Sequence, residues 1–328
     1  MPLSTRRIEF KQQGLPEVLN YVEAPCAAPE PYQVQVCNKA IGVNFIDTYF
    51  RSGLYNVPDF PSRLGSEGAG IVHSVGKAVT RFKPGDRVAY ATGPLGAYSE
   101  LHTLPEDNLV HLPDYISFED AAAVMLKGLT VQYLFRQTYR LTAGEVVLFH
   151  AAAGGVGAIA CQWANALGVK LIGTVSSHKK ADIARSAGAW ATIVYREQDV
   201  VARVLSLTDG RKCPVVYDGV GKDTWETSLS CLAPRGLLVS FGNASGAVEG
   251  VALSSLAERG SLYVTRPGLP AYANNATNLQ TMADELFSMI RQGHIKVNIH
   301  QRYTLKDARF AHEALSAQLT TGSTILLP

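Results

Sequence analysis

Near the middle of the chain, Gly154, Gly155, Val156 and Gly157 have the types and spacing to hold a phosphate anion. Glycines let a backbone approach a bulky anion, and the main-chain N–H groups at a helix start point toward it with the positive end of the helix dipole behind them. The elements that must position these residues are present. Val146-Val147-Leu148-Phe149-His150 is an apolar strand pattern leading into Ala151-Ala152-Ala153, and an apolar helical pattern follows Gly157. A strand, a glycine turn and a helix start, in that order, receive the pyrophosphate of a dinucleotide. Ala152 stands where the G-x-G-x-x-G template usually has its first glycine, so the assignment also rests on context. Further strand patterns at 171–175, 191–195, 215–218, 237–241 and 261–264 alternate with helical ones. Such repetition predicts a doubly wound parallel sheet with its ligand at the carboxyl ends of the strands, and the bound species is a nicotinamide nucleotide.

The second strand discriminates between nucleotides. An NAD site places Asp or Glu about twenty residues past the glycines to accept from the ribose hydroxyls. Here the strand runs into Ser176-Ser177-His178-Lys179-Lys180, and no acid occurs between Glu145 and Asp182. Small hydroxyls and lysines receive a 2′-phosphate that a carboxylate would repel, which favours NADPH, with Lys180 preferred over Lys179 as the phosphate ligand. Either lysine taken singly is otherwise a solvated residue on a first helical turn.

Composition agrees with a soluble enzyme. The 328 residues are 47% hydrophobic and 18% charged, enough for two domains with sizeable cores. A net charge of +2 gives no reason to expect a nucleic-acid or membrane surface. The polar start Met1-Pro2-Leu3-Ser4-Thr5-Arg6-Arg7 lacks the apolar core of a signal peptide, so the expected location is cytoplasmic. Five scattered cysteines without a C-x-x-C pair, and dispersed histidines, predict neither a disulfide frame nor a zinc site.

Residues 1–110 carry short alternating segments such as Val34-Gln35-Val36 and 70–75, with turns such as Lys83-Pro84-Gly85-Asp86, and predict a mainly β domain, a distorted barrel. Ser117 and Asp120 form a capping-box pattern that starts a helix continuing through 121–137 and bridging the domains. After Arg266-Pro267-Gly268, helices near 277–292 and 306–317 and a strand at 324–327 return to the first domain.

Four stretches, 40–49 (Ala40-Ile41-Gly42-Val43-Asn44 through Tyr49), Arg51-Ser52-Gly53-Leu54-Tyr55, Lys127-Gly128-Leu129-Thr130 and 150–157, together carry a resemblance. They resemble the quinone oxidoreductase, or zeta-crystallin-like, branch of the medium-chain dehydrogenase/reductase superfamily over essentially the whole chain, above all its bacterial members. The resemblance implies an α/β fold: a Rossmann doubly wound parallel sheet (124–266) plus a GroES-like mainly β catalytic domain built from 1–123 and 267–328. It also implies a homodimer along the Rossmann sheet edge, with 261–264 as the pairing strand.

Zinc alcohol dehydrogenases of that superfamily polarise an oxygen with a metal held by soft or imidazole ligands. This chain has Asn44 where their first cysteine ligand stands and Gly65-Ser66-Glu67 in place of Gly-His-Glu, so the expected site holds no metal. A quinone is already a good hydride acceptor and needs position and exclusion of water more than strong acid catalysis. The resemblance places Asn44, Asp47, Tyr49, Tyr55, Lys127 and Thr130 around the nicotinamide and substrate. Asn44 and Thr130 would orient the nicotinamide or quinone oxygen, and Tyr49 and Tyr55, flanking a turn-like segment, would be exposed aromatic walls and donors. Lys127 would stabilise developing quinol charge, and Asp47 would fix its loop. For NADPH, the same resemblance assigns Gly154, Gly155, Val156 and Gly157 to the pyrophosphate, and Ser176, Lys180 and Tyr195 to the 2′-phosphate and adenine ribose. Tyr133, Phe241, Gly242, Asn243 and Arg266 fall to the nicotinamide side and its surroundings. Where bacterial members carry a cofactor-contacting arginine near the carboxyl terminus, this chain has Gln318.

Three readings stand at this point. One is NADPH-dependent reduction of quinones, ortho-quinones included. Another is reduction of an activated C=C bond, enone or enoyl thioester, with Tyr55 as proton donor. The third is a non-enzymatic nucleotide- or RNA-binding protein, against which the near-neutral charge argues.

Overall fold

Residues 3–328 are described in the computed structural model; Met1 and Pro2, the start of the polar amino terminus, lie outside the described residues. The chain divides into two units. One holds the residues up to Leu129 with Ala273–Arg291 and Lys296–Pro328; the other holds Thr130–Tyr272 with Gln292–Ile295. The first boundary falls inside the helix Phe118–Tyr133.

The second unit is built on a six-stranded parallel sheet. Its strands, Val146–Phe149, Lys170–Val175, Ala191–Val194, Cys213–Asp218, Leu232–Ser240 and Tyr263–Thr265, lie in the spatial order third, second, first, fourth, fifth, sixth. That is the doubly wound order, with its switch point beside the first strand. Leu148, Ile172, Ile193, Val216 and Leu238, one from each of five strands, pack with Val204 and Leu229 into one core. Near-continuous apolar strands are what a sheet covered on both faces demands.

The last strand is displaced from the expected 261–264 to Tyr263–Thr265. Gly260 and Ser261 take φ of 102° and 58°, and Leu262 N–H donates to Leu256 O at 3.0 Å. Those residues close the helix Leu253–Glu258 and cannot be extended. The bridging helix also ends differently: it is α-helical only to Tyr133, and Leu134–Thr138 form a π turn. Its start is as read, with Asp120 N–H donating to Ser117 Oγ at 3.0 Å and Ser117 Oγ to Asp120 Oδ2 at 2.7 Å.

The first unit has a three-stranded antiparallel sheet, Asn20–Pro25, Ser4–Phe10 and Ser62–Arg63, and a seven-stranded one. The long strand Gln33–Val43 organises the latter, pairing with Gly68–Val75, Leu101–Pro105 and the carboxyl-terminal Ser323–Leu327. Val34, Val36, Ile41, Val72, Leu104 and Leu326 from these strands share a core with Phe10, Leu64, Tyr90 and Tyr98.

Candidate active site

In the second unit, the first strand turns at Ala151, whose φ of 56° is in the left-handed region. Gly154 caps the helix Gly155–Ala166, donating to Ala151 O at 2.9 Å and accepting from Ala158 N at 2.8 Å. A Cβ on Gly157 would lie 2.4 Å from Ala151 O and 2.6 Å from Ala152 Cα, both backbone atoms. Only glycine lets the helix come this close to the turn. Ala152 itself, at the template's first glycine, is buried and fits because Gly173 on the next strand carries no side chain: a Cβ there would sit 2.5 Å from the Ala152 Cβ. The first N–H groups of Gly155–Ala166 have no acceptors within the helix, and donors so placed at a helix start could receive an anion.

Tyr195 N–H donates to Val175 O at 3.1 Å, which brings Ser176 and Tyr195 to one edge at the ends of the second and third strands. Ser177 caps the helix His178–Ser186 by accepting from Lys180 N–H at 3.4 Å, and Lys180 is half-buried in its first turn. Glu197, from beyond the third strand, reaches His178 Nε2 at 2.9 Å.

At the ends of the fifth and sixth strands, Arg266 Nη1 donates to Ser240 O at 2.7 Å. With the Asn243 amide assigned the orientation that satisfies both its oxygen and its nitrogen, Arg266 Nη2 donates to the Asn243 oxygen at 3.1 Å and the Asn243 amide donates to Gly242 O at 2.9 Å. Phe241 packs on Phe149 with ring centroids 5.5 Å apart. Tyr133 is buried and stacks on Tyr272 at 4.6 Å and 10°. Burial pushes the Tyr133 phenol up, while Arg266 and the Thr130 hydroxyl draw it back. Thr130, Tyr133, Asn243 and Arg266 thus form one polar patch, with Tyr272 an unanticipated member. The sequence offers no sign of Tyr272 beyond its type.

Beneath the turn runs a buried chain the sequence did not reveal. Thr174 Oγ1 and His150 Nδ1 are 2.9 Å apart, His150 Nε2 and Ser228 Oγ 3.0 Å, and Ser228 Oγ donates to Asp218 Oδ2 at 2.6 Å. Burial lowers the His150 pKa, so the ring is neutral. Since Ser228 spends its proton on Asp218, Nε2–H is the donor to Ser228 and Nδ1 accepts from Thr174. Asp218 Oδ1 also accepts from the N–H groups of Val220 and Gly221 at 2.8 and 3.0 Å.

In the first unit, Asn44 ends the long strand and caps the helix Phe45–Ser52. Of the expected turn-like segment Arg51-Ser52-Gly53, only Gly53, with φ of 97°, turns the chain; Arg51 and Ser52 are the last residues of the helix, on which Tyr49 also lies. Tyr49 is buried rather than exposed, and Tyr55 is half-buried, because the two rings pack edge-to-face at 5.2 Å with Phe45 and Phe50 alongside. Asp47 is wholly buried; its Oδ2 accepts from Asn44 N–H at 2.8 Å and from Tyr98 Oη at 3.0 Å. Burial raises its pKa to about 7. Tyr98 Oη is also 3.1 Å from Nε2 of His312, which burial holds near 3 and hence neutral.

Lys127 is buried, not solvated, with Nζ 3.3 Å from Glu67 Oε2. Asn44 Nδ2 donates to the same oxygen at 2.6 Å, and Leu126 N–H donates to Glu67 Oε1 at 2.6 Å. Glu67 is the central residue missed as a candidate; its only signal was its place after Gly65-Ser66. Gln318 follows the helix Ala308–Ser316 with φ of 58°.

A family model described as an alcohol dehydrogenase GroES-like domain matches residues 30–114, and one described as a zinc-binding dehydrogenase matches 155–279. A quinone oxidoreductase of Pseudomonas aeruginosa is 67% identical, with 98% of this chain and 99% of the relative covered. A 2-haloacrylate reductase of a Burkholderia species is 40% identical, with 97% of each covered. The crystal structure of Escherichia coli quinone oxidoreductase complexed with NADPH superposes with a TM-score of 0.97 at 57% identity, covering 98% of this chain and all of that one.

Proposed function

This chain belongs to the quinone oxidoreductase family, and from that premise we propose that it reduces quinones with NADPH. The observation that carries the cofactor reading is the turn at Gly157, where a Cβ would strike the backbone of Ala151 and Ala152. That close approach builds an anion cradle which a helix packed at ordinary distance would lack. NADPH, when bound, supplies the hydride. Gly154, Gly155, Val156 and Gly157 hold the pyrophosphate; Ser176, Lys180 and Tyr195 hold the 2′-phosphate and its ribose. Phe241, Gly242, Asn243, Arg266, Thr130 and Tyr133 orient the nicotinamide side.

Asn44 and Lys127 act on the quinone. Hydride arrival leaves negative charge on a quinone oxygen, and the Lys127 ammonium, held beside Glu67 at 3.3 Å, would stabilise that charge. Tyr49 and Tyr55 form aromatic walls, and Asp47 fixes the start of the helix Phe45–Ser52.

The protein acts as a homodimer paired along the sheet edge. Support comes from Tyr263–Thr265, the terminal strand of the sheet, whose Tyr263 is 61% exposed. It works in the cytoplasm: its five cysteines are free thiols, three of them buried, as suits a reducing compartment. Among the described residues no helix is long and apolar enough to cross a membrane.

The test is the initial rate of NADPH oxidation by chelator-treated protein with an ortho-quinone, a para-quinone and an enone in parallel, repeated with NADH. Quinone turnover preferring NADPH is the expected result. Turnover of the enone alone would make the protein an alkene reductase.

A further inference from the structure

We propose that Glu67 is a positioning residue for quinone reduction, setting the orientation of both Asn44 and Lys127. This inference rests on the function proposed above. Glu67 is fully buried, yet three donors from two directions converge on its carboxylate. Leu126 N–H holds Oε1 at 2.6 Å, fixing the carboxylate to the helix Phe118–Tyr133. Oε2 then takes the Asn44 amide at 2.6 Å and the Lys127 ammonium at 3.3 Å.

Each contact removes a freedom. A carboxylate only accepts, so Asn44 must present Nδ2 to it, and the flip of that amide is decided. Lys127 has four rotatable side-chain bonds and would otherwise bury an unpaired charge; beside Glu67 its ammonium has one place to sit. The fold makes room for the carboxylate deliberately: a Cβ on Gly42 would lie 2.0 Å from Glu67 Oε2 and 2.4 Å from Ala122 O. Gly42 belongs to the long strand, at an ordinary strand position with no turn to explain it. Its missing side chain is the slot into which the Glu67 carboxylate fits.

Glutamine at 67 keeps the shape but turns one acceptor into a donor facing donors. Asn44 and Lys127 then cannot both keep their partner while Leu126 keeps its own. A displacement of about 1 Å in a group that orients a reacting substrate costs on the order of 100-fold in rate. The experiment compares Glu67→Gln made in the wild-type protein with Glu67→Gln made in an Asn44→Ala/Lys127→Met background. The wild-type protein's quinone turnover tests the function itself, separately from the role of Glu67. Steady-state kcat is read alongside the NADPH Kd from nicotinamide fluorescence and the thermal midpoint. In the wild-type protein, kcat should fall by about 10- to 100-fold with the NADPH Kd retained within about threefold. In the double-variant background, where neither positioned group remains, the same change should alter kcat by less than about threefold, since the effect travels through the missing groups. An equal loss in both backgrounds, no loss in the wild-type protein, or a loss matched by weakened NADPH would overturn the proposal. Should Glu67→Gln alone fail to fold, Glu67→Gln/Lys127→Met, which leaves no unpaired buried ammonium, is compared with Lys127→Met. The expected result is then a further kcat loss that Asn44→Ala abolishes, and persistence of that loss refutes the role.

Discussion

Replacing Gly157 with alanine tests the dinucleotide turn where its geometry is tightest. The new methyl would lie 2.4 Å from Ala151 O and 2.6 Å from Ala152 Cα, where ordinary contact begins at 3.4 Å. The helix Gly155–Ala166 and the turn must separate by about 1 Å, since neither obstacle is a side chain that can rotate away. A phosphate contact of about 2.9 Å stretched by that amount leaves hydrogen-bonding range. Each charge-assisted bond contributes about 1.5–3 kcal/mol, and about 1.4 kcal/mol is one decade of affinity. Losing one bond therefore raises the NADPH Kd by about 10- to 100-fold. Overpacking costs a further 1–3 kcal/mol or so of stability. The assay is NADPH titration by fluorescence on protein whose fold is checked by thermal melting. A Kd within about twofold of wild type, with an unchanged melting midpoint, would refute the cradle.

Lys180→Ala should weaken NADPH by about one to two decades and leave NADH nearly unchanged in the same titration; equal losses would remove the 2′-phosphate assignment. Asp47 gives a pH signature. Its carboxyl moves from 3.8 to about 7 on burial, so between those values the folded protein holds a proton that the unfolded chain releases. Stability therefore falls as pH rises from about 4 to about 7, by about 4 kcal/mol, and levels off above. Denaturant midpoints of wild type and Asp47→Asn, compared across pH 4–8, should diverge in that window, and a constant difference would contradict the burial effect. Ser228→Ala strands the buried His150 Nε2–H, while Asp218 Oδ2 keeps the Thr224 hydroxyl as donor at 2.7 Å; urea unfolding should show a loss of about 1–3 kcal/mol, and a loss under about 0.5 kcal/mol would mean that the chain does not hold the strand ends.

The periodic features were legible. Five strands of the parallel sheet, the glycine turn and the Ser117 cap follow from short apolar runs and from residues whose preferences are strong. Positions that depend on what lies across space were not. Ser261 occupies a left-handed conformation because the helix before it closes there, and no pattern of apolar residues signals that. Tyr49 and Tyr55 looked exposed because they flank a glycine, whereas Gly53 ends a helix whose inner face carries Tyr49. His150 stood inside the turn's own motif, but its partners Thr174, Ser228 and Asp218 come from other elements. Glu67 was visible beside Ser66 as part of a pattern lacking a metal ligand. Its work is defined by Asn44, Leu126 and Lys127, which approach it from distant parts of the chain.

The roles proposed for residues of the two units are ones that kinetics can separate. Gly157 and Lys180 belong to the unit with the parallel sheet, and Asn44, Glu67 and Lys127 to the unit with the long strand. An interaction made equally in ground and transition states sets binding, whereas one that meets charge only as hydride arrives sets kcat. Variants at Gly157 and Lys180 should therefore raise the NADPH Kd and recover their turnover at saturating cofactor. Variants at Glu67 and Lys127 should keep the Kd and lose turnover that no concentration of NADPH restores. The Glu67–Lys127 pair gives this division its physical basis: an ammonium held in place beforehand costs little reorganisation when charge develops near it. A Lys127→Met protein that lost NADPH affinity and kept kcat would assign that ammonium to the cofactor instead.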